Sequence, residues 1–190
     1  FQRNEKRNAF DICPVNMALN YLAGKLYLKY DHKGELAAQG EINNPLLEQL
    51  NALPFYQQEG PKSLGKEWFD KNFLPLLNRP EDKSEDAISN TLRTVTEHIA
   101  LQHASVLKKT NIKGPVLLTG GGAFNEFLVN RLKAVCDAEI HIPDADVINF
   151  KEAIIFALLG WLYSRNEINT LSSATGSKRN SIGGALYKGL

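Results

Sequence analysis

Pro115-Val116-Leu117-Leu118-Thr119-Gly120-Gly121-Gly122 is a short apolar run that ends in three glycines, and its surroundings repeat the same logic. The run predicts a buried strand, the glycines a tight turn, and the recurrence of Leu128, Leu132 and Val135 on one side a helix after it. Glu139 to Ile142, stopped by Pro143, predicts another short strand, and 151–165 a helix apolar on most sides and packed between layers. Upstream, Ile88, Leu92, Val95, Ile99 and Val106 fall at helical spacing over 86–108. Lys108 and Lys109 there suit the negative end of the helix dipole. Alternating strands and helices imply an α/β layer fold, a β-sheet flanked by helices.

Working back towards the start, Ala9-Phe10-Asp11-Ile12 is strand-like. Pro14 punctuates the entry to a helix bearing Met17, Leu19, Leu22 and Leu26, with Asn16 as its expected N-cap. Between 30 and 78 the chain is rich in Gly, Pro and Asn, which predicts an irregular helical excursion; in Asn44-Pro45-Leu46-Leu47 Asn caps and Pro opens a helix. No linker divides the sequence, so one domain is the simpler reading. The chain opens at Phe1, without methionine, on a short polar stretch that reads as a cut.

Composition narrows the function classes. The 190 residues are 43% hydrophobic and 23% charged, enough for a real core. Lys and Arg number 22 against 21 Asp and Glu, a balance that offers no field for nucleic acid or an anionic membrane. Cys13 and Cys136 match no metal or redox spacing and suit a reduced, cytoplasmic compartment. The apolar run at 153–163 is far shorter than the roughly 20 residues of a membrane helix, and no signal-peptide pattern is seen. His98 and His103 lack the i, i+4 register of a metal pair, while His32 and His141 stand alone, so no metal site of protein nitrogens is expected.

Several places could carry chemistry, each with a plainer alternative. The glycine triplet could admit a phosphate or ribose to free amides at a helix start, or could be a turn that needs positive φ. Its spacing is neither Gly-x-Gly-x-x-Gly nor a P-loop. Asp11, at a strand end before a Pro-containing turn, could face a cleft or cap the turn. Glu152, taken to open an apolar helix, could face a cleft or complement the dipole. Lys62, Ser63 and Lys66 form a small basic turn that could meet an anionic substrate or be a solvated loop.

Taken in order, these elements resemble the anhydro-N-acetylmuramic acid kinase family, over essentially the whole chain. Phe10-Asp11-Ile12-Cys13-Pro14-Val15-Asn16 is similar to its Phe-Asp-Thr-Gly-Pro-Gly-Asn motif, with Ile12, Cys13 and Val15 making the turn bulkier. Pro61-Lys62-Ser63-Leu64-Gly65-Lys66-Glu67-Trp68-Phe69 resembles its Pro-Lys-Ser-Thr-Gly run. Thr119-Gly120-Gly121-Gly122 with Asn125 resembles its Gly-Gly-Gly-x-x-Asn turn, Glu152-Ala153 its Glu-Ala helix, and Ala174-Thr175-Gly176 its terminal Val-Thr-Gly.

The resemblance implies an actin-like, ribonuclease H-like domain, the C-terminal of two, with a helical insertion at about 30–85. It implies ATP and Mg²⁺, the ion held largely by nucleotide phosphates, and an amino-sugar substrate opened at its anhydro bridge and phosphorylated on O6. Asp11 would be the general base; Glu152, Asn16, Lys62 and Ser63 would meet the sugar, and Gly120, Gly121, Gly122 and Asn125 the nucleotide. The family's Gly-Thr-Ser-x-Asp-Gly phosphate loop occurs nowhere in this sequence, so an N-terminal domain is expected to act in cis or in trans, and the chain alone to be inactive. A homodimer is left open. The rival readings are a non-catalytic nucleotide- or sugar-binding module and another sugar or acid kinase of the same superfamily.

Overall fold

The computed structural model describes residues 2, 3, 6–78, 84–112 and 114–187. Phe1, where the polar opening begins, and positions 79–83 of the helical excursion lie outside the described residues. In chain order the elements are strands β1 (Gln2–Arg3) and β2 (Lys6–Arg7) and helices α1 (Asn16–Gly24), α2 (Glu35–Gln39) and α3 (Asn44–Asn51). Then come α4 (Lys66–Trp68), a π-helical turn (Phe69–Phe73), α5 (Leu74–Leu77) and the long α6 (Glu85–Thr110). They are followed by β3 (Val116–Leu117), α7 (Glu126–Val135), β4 (Ile140–His141), α8 (Ala145–Ser164) and α9 (Ser172–Thr175). The described residues form two compact units: one within Phe1–Asp11, Glu59–Ser63 and Ala145–Leu190, the other within Ile12–Gln58 and Leu64–Asp144. The class is α/β, with helices dominating and a small parallel sheet.

The larger unit is organised by α6. Ser84 caps it by accepting from the Ala87 amide at 3.2 Å, Glu85 and Asp86 follow in the positive first turn, and Asn111, at φ +52°, ends it in the left-handed conformation. The face expected from the sequence is buried: Ile88, Leu92, Val95 and Ile99 meet Leu19 and Leu22 of α1, Leu50 of α3, Phe73 of the π turn, and Leu128 and Leu132 of α7. Each such side chain contributes roughly 1.5–3 kcal/mol by leaving water.

Two helix starts differ from expectation by one residue. In α3 the cap is Asn43, whose extended backbone lets its side chain accept from the Leu46 amide at 3.0 Å, while Asn44 already lies in the helix. In α1 the residue before the helix is Val15, and Asn16 is the first helical residue, so it is not the cap. Its side chain is thereby free of the capping geometry.

The sheet of this unit pairs β3 with β4 in parallel, Val116 opposite Ile140 and Leu117 opposite His141. The strand is not fully buried as its apolar run suggested: Leu117 is 61% exposed. Among the described residues the sheet has two strands, and one face of Leu117 has no layer over it.

In the smaller unit β1 and β2 pair antiparallel. Positions 9–12 are not a strand; the Asp11 amide donates to the Lys62 carbonyl at 3.0 Å. Helix α8 begins at Ala145, well before Lys151, and is not packed between layers: Phe150, Ile154, Phe156 and Trp161 are exposed. Within its own unit the partners are two-residue strands, the short α9 and loops, which cannot cover both sides of a helix of this length. No described helix is long and apolar enough to cross a membrane.

A polar chain runs through the larger core. Asn51 Oδ1 accepts from Gln102 Nε2 at 2.9 Å, and an amide oxygen only accepts, so His98 Nδ1 donates to it at 2.7 Å. His98 Nε2 then accepts from the Tyr56 hydroxyl at 2.9 Å, which fixes a neutral tautomer. Burial, with the His103 charge adding to it, holds the His98 pKa down at about 3. A folded-state pKa below the unfolded one means that the unfolded chain takes up the proton first, so the contribution is whole above about pH 6.5 and is lost as pH falls towards 3. Acidifying from pH 7 to 5 is expected to cost up to about 2 kcal/mol through this group. Urea-unfolding midpoints should fall over that range, and His98→Gln, which cannot titrate, should flatten the dependence; an equal slope in both proteins would refute it.

Candidate functional site

The glycine turn is shaped by backbone before any ligand enters. Gly120 adopts φ +88° and ψ 177°, a region in which a Cβ clashes with its own backbone, so this position requires glycine. The Ala123 amide bonds back to the Gly120 carbonyl at 2.9 Å and the Asn125 amide to the Gly122 carbonyl at 3.1 Å, winding Gly121–Phe124 into a 3₁₀ turn. Asn125 then caps α7, its side chain accepting from the Leu128 amide at 2.9 Å. Gly121 needs space instead: a Cβ there would lie 3.1 Å from the Asn16 side chain, whereas one on Gly122 would find nothing nearer than 3.7 Å.

Because Asn16 opens α1 rather than capping it, its amide lies against this turn, and a cleft of about 630 Å³ opens beside them. Its other wall is the turn before α2. Asp31, 6% exposed, accepts from the Leu36 and Ala37 amides at 2.9 and 3.0 Å and so pins that turn to the start of α2. Gly34, at φ +78°, lies so near the Asn125 side chain and Phe127 that any Cβ would collide with them. Lys33 pairs with Glu126 at 2.7 Å, and the carboxylate's hydrogen bond and charge raise the Lys33 pKa.

A second cluster lies in the smaller unit. The Ser63 hydroxyl donates to Asp11 Oδ2 at 3.2 Å, the Lys62 carbonyl takes the Asp11 amide, and the Lys62 ammonium lies 6.0 Å from the centre of the Phe10 ring. Gly60 is close under Phe10 and Gly176 against Pro61, so the stretches around Phe10 and Pro61 and the terminal Ala174-Thr175-Gly176 run pack together here. A hydroxyl fixed on a carboxylate leaves it able to accept a further proton from a bound water or alcohol.

A family model described as anhydro-N-acetylmuramic acid kinase matches residues 1–189. The chain belongs to the anhydro-N-acetylmuramic acid kinase family. Among curated relatives of that name, one from Francisella tularensis subsp. novicida (strain U112) is 31% identical over 183 residues, covering 94% of this chain and 48% of the relative. One from Coxiella burnetii (strain Dugway 5J108-111) is 34% identical over 186 residues, covering 95% and 49%. One from Bacillus cereus (strain AH187) is 35% identical over 184 residues, covering 92% and 48%. The chain thus spans about half the length of the curated relatives it matches.

For this member of the anhydro-N-acetylmuramic acid kinase family, the residues singled out from sequence fall into two groups. Asp11, Lys62 and Ser63 meet in one cluster; Asn16, Gly121 and Asn125 line the cleft, with Gly120 and Gly122 shaping its turn. Asn16, expected on the sugar, lies with the glycines. Glu152 is exposed and sits beyond the first turn of α8, whose early acidic residue is Asp146, so the dipole does not explain it. Tyr30, Asp31, Lys33, Phe124 and Glu126 also line the cleft and are specified by none of the motifs above, although an Asp three residues before a Gly is a usable turn signal. Among the described residues no three His, Cys, Asp or Glu gather as a metal site.

The backbone angles and close contacts predict unequal costs at the glycines. Gly120→Ala is expected to lose about 1–3 kcal/mol of stability, while Gly122→Ala stays within about 0.5 kcal/mol. Chemical denaturation midpoints of the two variants compare them directly, and equal midpoints would contradict the assignment.

Proposed function

We propose that this chain is the base-bearing half of an ATP-dependent kinase that converts 1,6-anhydro-N-acetylmuramic acid to N-acetylmuramic acid 6-phosphate, in cell-wall recycling. The observation that carries the reading is the meeting of two motifs far apart in sequence: Ser63, of the Pro61-Lys62-Ser63 run, hydrogen-bonds the carboxylate of Asp11. A family resemblance in each motif alone says little about chemistry; their convergence on one carboxylate is what a general base requires. Membership of the family supports kinase chemistry.

In this reading Asp11 takes a proton from water as the water oxygen bonds to the anomeric carbon. The bond from that carbon to O6 breaks, and O6 attacks the γ-phosphorus with ADP leaving. Ser63 orients Asp11, Lys62 and Glu152 are assigned to the sugar, and Asn16, against Gly121, to the nucleotide side of the cleft. Gly120, Gly121, Gly122 and Asn125 are assigned to the nucleotide, whose amide-facing turn suits phosphate or ribose oxygens. Mg²⁺, carried on the nucleotide phosphates, would offset their charge. The architecture is read as one actin-like domain of a two-domain kinase acting in the cytoplasm, with the helical pieces between 30 and 85 as an insertion. The phosphate-loop domain is supplied by sequence outside this chain. Without that loop the γ-phosphoryl group is not aligned, so the chain by itself is inactive.

Asp11→Asn, made in this chain joined to a phosphate-loop domain, is expected to lower kcat by roughly two to four decades, because amide keeps the shape and removes the proton acceptor. Sugar-dependent ADP release measures it, with circular dichroism confirming the fold. Turnover near the parent's would remove Asp11 from the mechanism, and a fused protein that binds sugar or nucleotide yet never releases ADP would favour a non-catalytic module.

A further inference from the structure

We propose that Tyr30 and Phe124 form the base-binding wall of the cleft in the larger unit, taking the planar heteroaromatic base of a nucleotide whose phosphates lie towards Gly120 and Gly121. The inference rests on the nucleotide reading of the glycine turn and adds to it the part of the ligand that the turn cannot recognise.

The first support is where the aromatic rings of this unit are. Phe55, Tyr56, Phe69 and Phe73 are between 0 and 9% exposed, as core residues should be. Tyr30 and Phe124 are 57% and 47% exposed, and both line the same cleft. Tyr27 is exposed too, but does not line it. Leaving a phenylalanine half in water forgoes part of the free energy its burial would provide, and two such rings around one cavity are what a flat, apolar-faced ligand would cover. The volume, about 630 Å³, suits a ligand of nucleotide size, since small-molecule sites span roughly 300–1,000 Å³.

The second support is rigidity. Tyr30 precedes Asp31, whose two backbone hydrogen bonds anchor the turn; Lys33 is paired to Glu126; and Gly34 abuts Asn125. The ring of Tyr30 also packs 6.4 Å from that of His32. Phe124 ends the 3₁₀ turn that Gly120 begins, so its position follows from the same backbone that presents the glycine amides. The backbone that carries both rings is therefore held in place before a ligand arrives, which limits the ordering cost of stacking. The Asn16 amide sits against Gly121, and the two rings are the exposed aromatic part of the same lining.

The test titrates the 190-residue chain with ADP, adenosine and inorganic pyrophosphate by calorimetry. Tyr30→Ala and Phe124→Ala should each weaken ADP and adenosine by about tenfold, the scale of one base–aromatic stack. Pyrophosphate should bind these variants as it binds the parent, and Tyr30→Phe, which keeps the ring, should retain the parent's affinity for all three. Unfolding midpoints show whether the variants remain folded. ADP affinity within about twofold of the parent's in both alanine variants would overturn the proposal, as would an equal loss for pyrophosphate, or displacement of ADP by N-acetylmuramic acid and not by adenosine. If Gly121→Val weakens ADP while the alanine variants do not, the nucleotide reading stands and the aromatic wall falls. If the parent chain takes up no ADP at millimolar concentration, both fall.

Discussion

Glu97 lies on α6 with its carboxylate almost wholly withdrawn from water, and Arg131 of α7 meets it with two hydrogen bonds, Nε to Oε2 at 2.7 Å and Nη2 to Oε1 at 2.9 Å. A desolvated carboxylate is costly without such a partner, and the planar guanidinium fork satisfies both oxygens in one orientation only. The same hydrogen bond raises the Arg131 pKa. Its consequence is geometric. Leucine contacts between α6 and α7 could tolerate some sliding or rotation, but the fork cannot, and the Arg93 guanidinium on the Phe127 ring, 4.9 Å from its centre, adds a second constraint between the same helices. Fixing α7 fixes Asn125 at its start, and with it the glycine turn.

From that fixed turn the cleft is assembled by crowding. Gly34 comes within collision distance of Asn125 for any larger residue, and Gly121 has just enough room for the Asn16 side chain. These approaches bring three chain segments, near 16–20, 30–33 and 121–126, to one cavity. Buried His98, held neutral, serves the opposite purpose: its hydrogen bonds to Asn51 and Tyr56 tie α3 and the loop after it to α6. The core thus spends its polar groups on position, and the cleft leaves its aromatic rings uncovered.

The Asp11 cluster follows a different rule. Its carboxylate is exposed, its amide donates to the Lys62 carbonyl, and Ser63 reaches it across a long separation in sequence. Such a site depends on two loops keeping company, and the packing of Gly60 beneath Phe10 and Gly176 beside Pro61 provides for that where regular secondary structure does not.

What the sequence determined by itself was local. The apolar spacing of Ile88, Leu92, Val95 and Ile99 marked α6, the glycines marked the turn, and the motifs around Asp11, Ser63 and Gly120 carried the family resemblance, because each of these signals is complete within a few residues. Caps were legible to within one residue: Asn43 and Asn44 are chemically equivalent, and only the backbone angles tell which one accepts the hydrogen bond. Tertiary structure decided the rest. Whether Leu117 and α8 are covered depends on neighbouring layers that an apolar pattern presupposes but does not supply. Which residues share the cleft depends on close approaches such as Gly34 to Asn125, and the pairing of Ser63 with Asp11 depends on loop packing. A contact between distant residues is a property of two surfaces and the backbone between them, and no periodicity along the chain encodes it.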